Sequence, residues 1–260
     1  MHPQLRHFVR DDGRTVILPI DHAVAIPVPG LEDTGALIRT TSPHVDGFIV
    51  NYGVARGFAC QLGGRGICLR TDAYNTRRQG DGAGAFPLFG GDDATEVGAH
   101  AMMNMLFTGV EGEAASIRAA ARLVQEGRSS GAAVMIEALP AGLGQQAAYT
   151  VEAVGFAARL ACELGADLVK TVFPTGASQQ QFAAIVRECW VPVVVLGGAA
   201  EGDDMALLQM VARSMGAGAI GVAIGRNVWQ HRNPAAMAAA LASLVHEGGS
   251  VDSALKQVRE

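Results

Sequence analysis

Eight short apolar runs punctuate the chain: Val16–Ile20, Gly47–Val50, Ile67–Leu69, Ala101–Leu106, Ala133–Ile136, Asp167–Val169, Val191–Leu196 and Ala219–Ile224. Most are rich in β-branched residues and nearly continuous in apolarity, the pattern of strands buried on both faces. Between them lie segments with helical character. These are Leu31–Thr41, Gly53–Leu62, Gly112–Glu126, Val151–Leu164, Gln179–Glu188, Asp203–Met215 and Pro234–Val245. Gly112–Glu126 is the clearest amphipathic case. Pro234 suits a first helical turn, and Asp203-Asp204 suits a helix N-terminus electrostatically. Strand–helix alternation repeated about eight times predicts an α/β fold, a single (β/α)8 TIM barrel over residues 1–260. A doubly wound sheet fits less well, because no G-x-G-x-x-G follows the first strand. One stretch breaks the rhythm: Thr71 to Asp93 holds no clear strand, five glycines and the pair Arg77-Arg78. A connection this long is usually functional or disordered, and after a third barrel strand it would lie on the active-site face.

Composition narrows the partners. A net charge of −5 argues against a general binder of nucleic acid or anionic membranes. It leaves room for a local basic pocket. Met1 to Arg14 is polar and lacks the apolar centre of a signal peptide, and no apolar run approaches the roughly 18 residues of a membrane span. Cys60, Cys68, Cys162 and Cys189 are scattered without a C-x-x-C pair and read as small buried hydrophobes in a reducing compartment. A cytoplasmic soluble protein is the default.

The chemistry centres on Lys170. The chain has two lysines; Lys256 lies in a polar C-terminal tail, while Lys170 ends the apolar stretch Gly165-Ala-Asp-Leu-Val-Lys-Thr171. Burial disfavours an ammonium and favours the neutral, nucleophilic amine that Schiff-base catalysis requires. The plainer alternative is a snorkelling lysine, or one paired with Asp167 or Glu163. In a barrel, polar residues at strand C-termini converge on one mouth. Here those are Asp21, His22, Asn51, Arg70, Thr71, Asp72, Asn104, Glu137 and Lys170. Gly197-Gly198 and Gly225-Arg226 end the last two strands, where barrels often bind phosphate through backbone N–H groups. No metal or other cofactor is implied, since the seven histidines form no H-x-H or H-E-x-x-H.

Four motifs in order resemble the archaeal-type class I fructose-bisphosphate aldolase family. They are Leu18-Pro-Ile-Asp-His22, Gly165–Thr171, Val191-Pro-Val-Val-Val-Leu-Gly-Gly198 and Gly218-Ala-Ile-Gly-Val-Ala-Ile-Gly-Arg-Asn-Val-Trp-Gln230. That family also holds aminodideoxyheptulosonate synthase and the thiolase acting on phosphorylated autoinducer-2. The resemblance covers most of the chain, least between about 71 and 150. It implies that Lys170 forms the Schiff base and that Asp21 contacts substrate hydroxyls and assists proton transfer. It also implies that the glycine turns at 197–198 and 225–226 hold phosphate; from their strand-end positions, His22, Arg70, Asn104 and Arg226 are read as further substrate or phosphate contacts. It implies a phosphorylated sugar or keto substrate and a homo-oligomer, often of ten subunits. Two departures stand out. The family's acid/base tyrosine lies in a Y-P-R-G turn after the fifth strand, where this chain has Leu139-Pro-Ala-Gly142. The lysine of G-G-x-K is replaced by Ala200. Glu137, two residues before the lost tyrosine, resembles the glutamate of the tagatose-bisphosphate and sulfofructose-phosphate aldolase branch. It is the candidate acid/base, with Arg77, Arg78 or Arg226 supplying positive charge. The alternatives are acyl or glyceryl transfer through the same lysine, and a barrel that has lost catalysis.

Overall fold

The computed structural model describes residues 1–24, 29–73, 85–198 and 202–259. Its centre is a closed barrel of eight parallel strands: β1 (Thr15–Pro19), β2 (Gly47–Val50), β3 (Gly66–Arg70), β4 (Ala101–Thr108), β5 (Ala133–Pro140), β6 (Leu168–Thr171), β7 (Val193–Leu196) and β8 (Gly221–Ala223). Each pairs with its sequence neighbours, and β8 closes on β1 with Ile17 opposite Ala223. All eight apolar runs became strands.

Local chemistry starts the helices where the sequence indicated. Thr150 accepts a hydrogen bond from the Ala153 N–H, and Asp203 accepts one from Ala206. Ser178 and Gln181 form a reciprocal capping box ahead of Gln179–Glu188. Asn233 caps Pro234–Ala242, with Pro234 at the first position, where its missing N–H costs nothing. The segment expected as one helix from Gly53 to Leu62 is two, Tyr52–Gly57 and Ala59–Leu62, divided at the non-helical Phe58.

The core has two compartments. An outer layer packs the strands against the helices, and an inner cluster fills the barrel. Ile17, Ile49, Cys68, Met103, Met135, Leu168, Val194 and Ala223 belong to the inner cluster. Its amino-terminal end is stoppered by Leu5 and Phe8, carried on a 3-10 turn at Pro3–His7. Burying these two side chains is worth roughly 1.5–3 kcal/mol each. Their fit depends on glycine. A Cβ at Gly66 would lie 2.5 Å from the Phe8 ring, and one at Gly47 would lie 2.4 Å from it.

Three expectations need correction. The tail after residue 250 is a helix, Val251–Arg259, and it buries Ala254, Leu255 and Val258 with only its other face polar. Cys60 is exposed, unlike the other three cysteines. Within Thr71–Asp93 there is a short antiparallel pair, Asp72–Ala73 with Phe86–Pro87, and a helix begins at Gly91. Arg77 and Arg78 lie outside the described residues. Among the described residues, no helix is long and apolar enough to cross a membrane.

Candidate active site

Period-two alternation builds the site. Cys68, Met135 and Leu168 point into the barrel, so Arg70, Glu137 and Lys170, each two residues further along, occupy the same face one layer higher. Glu137 and Lys170 stand directly opposite each other in the β5–β6 register. Their side chains meet, with Lys170 Nζ 2.9 Å from Glu137 Oε2. Both partners named for the plainer reading of Lys170 are engaged elsewhere. Asp167 accepts from the Val134 N–H, and Glu163 pairs with Arg159.

Arg70 joins the rest of the layer. Its Nη2 donates to Glu137 Oε2 at 2.7 Å, its Nε to Asp21 Oδ2 at 2.7 Å, and its Nη1 to Asp72 Oδ1 at 3.2 Å. Asp72 is held in turn by the Met105 N–H at 2.8 Å. The Asn51 side-chain amide donates to the Asp21 carbonyl, and His22 Nδ1 lies 3.5 Å from Asp21 Oδ1. Lys170 is 3% exposed, Arg70 2% and Asp21 0%. Five formally charged side chains are thus removed from water, a state tolerated only when charges are paired and hydrogen-bonded.

The environment separates the three carboxyls. Burial raises the Asp21 carboxyl, but Arg70, the neighbouring His22 imidazole and the charge of Lys170 more than reverse this and hold it well below the usual carboxylate range. Burial likewise opposes ionisation of Glu137; Lys170 and Arg70 outweigh it and lower its pKa. At Asp72 burial wins over Arg70, and the pKa is raised. Cys68, below Arg70 on the same strand face, has its thiol pushed up to about 12 by burial.

Above β7 and β8 lie the glycine turns. Gly225 must be glycine, because a Cβ there would sit 2.7 Å from the Pro19 carbonyl. That carbonyl accepts a hydrogen bond from Trp229 Nε1 at 3.0 Å, and the Trp229 ring meets His22 edge-on. The last turn therefore braces the end of β1 and, with it, Asp21. Arg226 begins the helix Arg226–Trp229 and is half-buried, with its Nε unpartnered among the described residues. Gly197 and Gly198 follow β7; Ala200 lies outside the described residues.

Two expected substrate contacts are placed differently. Arg70 gives three nitrogens to carboxylates and belongs to the interior layer. Asn104 follows the inward Met103 and so takes the opposite face of β4. It lines a crevice with Thr71, Phe89, Arg122 and Glu126, where its Oδ1 has no partner among the described residues. Sequence reasoning missed Tyr149. Its hydroxyl donates to the Gly142 carbonyl at 2.7 Å and accepts from the Gly144 N–H at 3.1 Å. A tyrosine thus ties down the turn in which the family's tyrosine is lost, but it acts on the backbone, with burial raising its pKa. Among the described residues no group of three or more His, Cys, Asp or Glu is placed to hold a metal.

A buried strand-end lysine facing a carboxylate at a barrel mouth defines a Schiff-base-forming aldolase type of site. The comparisons supply the family. The model of the DeoC/LacD family aldolases matches residues 15–231, and the chain belongs to that family. It is 31% identical over 257 residues to the 2-amino-3,7-dideoxy-D-threo-hept-6-ulosonate synthase of Halobacterium salinarum, covering 95% of this chain and 92% of that one. It is 30% identical to the 3-hydroxy-5-phosphonooxypentane-2,4-dione thiolase of Escherichia coli, covering 96% and 83%. Among solved structures it resembles an archaeal fructose 1,6-bisphosphate aldolase with a TM-score of 0.85 and 26% identity over 95% of this chain and 98% of that one. A second such structure, with its catalytic lysine bound to the carbinolamine intermediate, gives a TM-score of 0.82 at 26% identity, over 93% and 98% of the chains.

Proposed function

We propose that this protein cleaves and forms carbon–carbon bonds of a phosphorylated ketose or related keto compound, with Lys170 as nucleophile and Glu137 as acid/base. The observation that carries this reading is the 2.9 Å contact between Lys170 Nζ and Glu137 Oε2, in register on adjacent strands. Glu137 is the nearest acceptor for the proton the ammonium must lose before attack. The free amine adds to the substrate carbonyl, and loss of water gives an iminium. Glu137 then takes the proton of the hydroxyl on the carbon that becomes the aldehyde. The C–C bond breaks toward the iminium, leaving a neutral enamine. The protonated Glu137 returns its proton to the enamine carbon, which restores the carboxylate, and hydrolysis of the resulting iminium completes the cycle. In the cleavage step one positive and one negative charge vanish together, so the buried layer keeps its net charge. Asp21, held by Arg70 and Asn51, is the proposed contact for a substrate hydroxyl. Gly197, Gly198, Gly225 and Arg226 are the proposed phosphate contacts, and the Arg226 Nε, unpartnered among the described residues, favours an anion there.

A second reading is transfer of an acyl or glyceryl group through the same lysine. It is favoured by the names of the full-length relatives, a synthase and a thiolase. One experiment tests the common core: borohydride reduction with dihydroxyacetone phosphate, read by intact mass. The wild type should gain one stable adduct and Lys170→Ala none. Lys256 is exposed on the final helix and should remain unmodified. Glu137→Gln should still form the imine but slow C–C cleavage by about 10²-fold or more, the worth of a positioned acid/base. Turnover near normal in Glu137→Gln, with loss in Asp21→Asn, would move the acid/base role to Asp21.

A further inference from the structure

The layer around Lys170 contains a group that the reaction scheme does not use. Arg70 is fully inside the barrel, too deep and too occupied to receive a phosphate. Its planar fork contacts three carboxylates that come from different parts of the chain: Asp21 after β1, Asp72 after β3, and Glu137 on β5. Nε and Nη2 make the two short contacts, both 2.7 Å, and both go to the residues proposed to handle protons and hydroxyls. Nη1 makes the longer contact on the far side, to Asp72, which is pinned to the Met105 amide. Asp72 therefore acts as a buttress, and Arg70 as a bracket that reaches past it.

We infer that Arg70 is a positioning residue for the carbon–carbon step, fixing the Glu137 and Asp21 carboxylates around the Lys170 amine and keeping both ionised. The inference rests on the aldolase reading above. Glu137 Oε2 is shared between Lys170 Nζ and Arg70 Nη2. When Lys170 enters an imine, its ammonium no longer pairs with Glu137. Arg70 then remains the fixed cation on that oxygen, so the carboxylate keeps its place and stays a proton acceptor. Without it, the buried Glu137 would take up a proton at higher pH, because desolvation alone favours the neutral acid. Among the described residues, the other groups facing this carboxyl are Asp21, with His22 behind it, Asp72 and Cys68. The buried thiol of Cys68 stays neutral, and Asp72 repels a second negative charge. Among the described residues, Arg70 and Lys170 are thus the cations that favour ionised Glu137. A lysine at position 70 would supply charge from one nitrogen and could not bridge two carboxylates on opposite sides of the barrel.

The test uses two measurements on the whole protein, with Arg70→Met and Arg70→Lys. The first needs no substrate: ¹³C-carboxyl NMR of glutamate-labelled protein, with the Glu137 signal assigned by its loss in Glu137→Gln. The Glu137 midpoint should rise in Arg70→Met and rise less in Arg70→Lys, which keeps a charge. An unchanged midpoint in both overturns the inference. The second follows deuterium uptake from D₂O into dihydroxyacetone phosphate, against imine trapping on the same sample. Arg70→Lys should trap imine within about threefold of wild type yet exchange about tenfold more slowly or worse, with the acidic limb of its pH profile moved up. Exchange and trapping that fall in parallel, with no movement of the pH profile, reduce Arg70 to a structural charge. If the wild type itself forms no imine, the aldolase reading fails, and the NMR midpoint still decides what Arg70 does to Glu137. If Arg70→Met does not fold, Arg70→Lys carries both measurements.

Discussion

The two ends of this barrel each hold a buried ionic cluster, and the clusters differ in what they join. At the carboxyl end, Asp21, Arg70, Glu137 and Lys170 come from strand ends and surround an amine. At the amino end, Asp46 pairs with Arg10 and with His246 Nε2, while His246 Nδ1 contacts Asp12 at 2.7 Å. Asp46 also accepts the Val16 N–H at 2.7 Å, and Arg14 donates to the Val245 carbonyl. The lower cluster ties the first turn of the chain, the entry to β2 and the segment before the last helix to one point. Every polar atom there serves a chain connection. In the upper cluster the charges come from the ends of several strands and surround the primary amine of Lys170. Ionic burial in the first case ties chain segments together; in the second it surrounds the amine proposed above as the nucleophile.

That contrast breaks cleanly under substitution. Lys170→Met should abolish imine trapping completely, the largest effect expected anywhere in the molecule. His246→Gln at the other end should leave trapping within about twofold. Loss of trapping in His246→Gln with intact fold would show that the two ends are coupled. Asp46→Asn should then give the largest stability loss at the amino end, about 2–4 kcal/mol in urea unfolding, because it removes the buried negative charge paired with His246. Arg10 adds little to that figure, since its side chain is 43% exposed. Folded Asp46→Asn should trap imine like the wild type.

The stopper beneath the inner cluster gives a smaller test. Gly66→Ala drives a methyl into the Phe8 ring and should cost about 1–3 kcal/mol. Phe8→Leu in the same chain should recover part of that loss. Additive losses in the double variant would mean that Phe8 and Gly66 do not share the space the structure gives them.

The upper end was far more legible in the sequence than the lower. Parallel strands are apolar on both faces, so they stand out as runs, and a lone lysine closing one of them is conspicuous. Glu137 was readable as a strand-end carboxylate, and its register with Lys170 follows once both strands are placed. Arg70 was read as a substrate contact, because a guanidinium at a strand end gives no sign of its partners. Those lie 49 and 67 residues away in sequence and meet only when the barrel closes. The lower end hides for a related reason. Asp46 and His246 are 200 residues apart, and each alone looks like an ordinary surface residue. Leu5 and Phe8 are two apolar positions in a polar stretch, too few to make a periodic signal. The last helix was read as a tail because its buried face is only Ala254, Leu255 and Val258.

The finest distinction between the two ends is in their pH response. Burial would lower the His246 pKa, but its hydrogen bonds to the Asp46 and Asp12 carboxylates outweigh it, and the folded-state value is raised. A histidine raised in the folded state stabilises most fully below its ordinary value of about 6.5, and that stabilisation fades as pH climbs through the raised folded value. His100 works the other way. Burial lowers its pKa, so its contribution is present above the ordinary value and is lost as pH falls through the folded one. Wild type alone would therefore mix two opposing slopes. Subtracting the unfolding free energy of His246→Gln from that of wild type at each pH cancels the His100 share and isolates the lower cluster. The difference should be largest near pH 6 and shrink toward pH 9, by less than the Asp46→Asn effect. A difference that is flat, or that grows with pH, would mean that His246 is neutral in the folded protein and holds Asp12 and Asp46 by hydrogen bonding without charge.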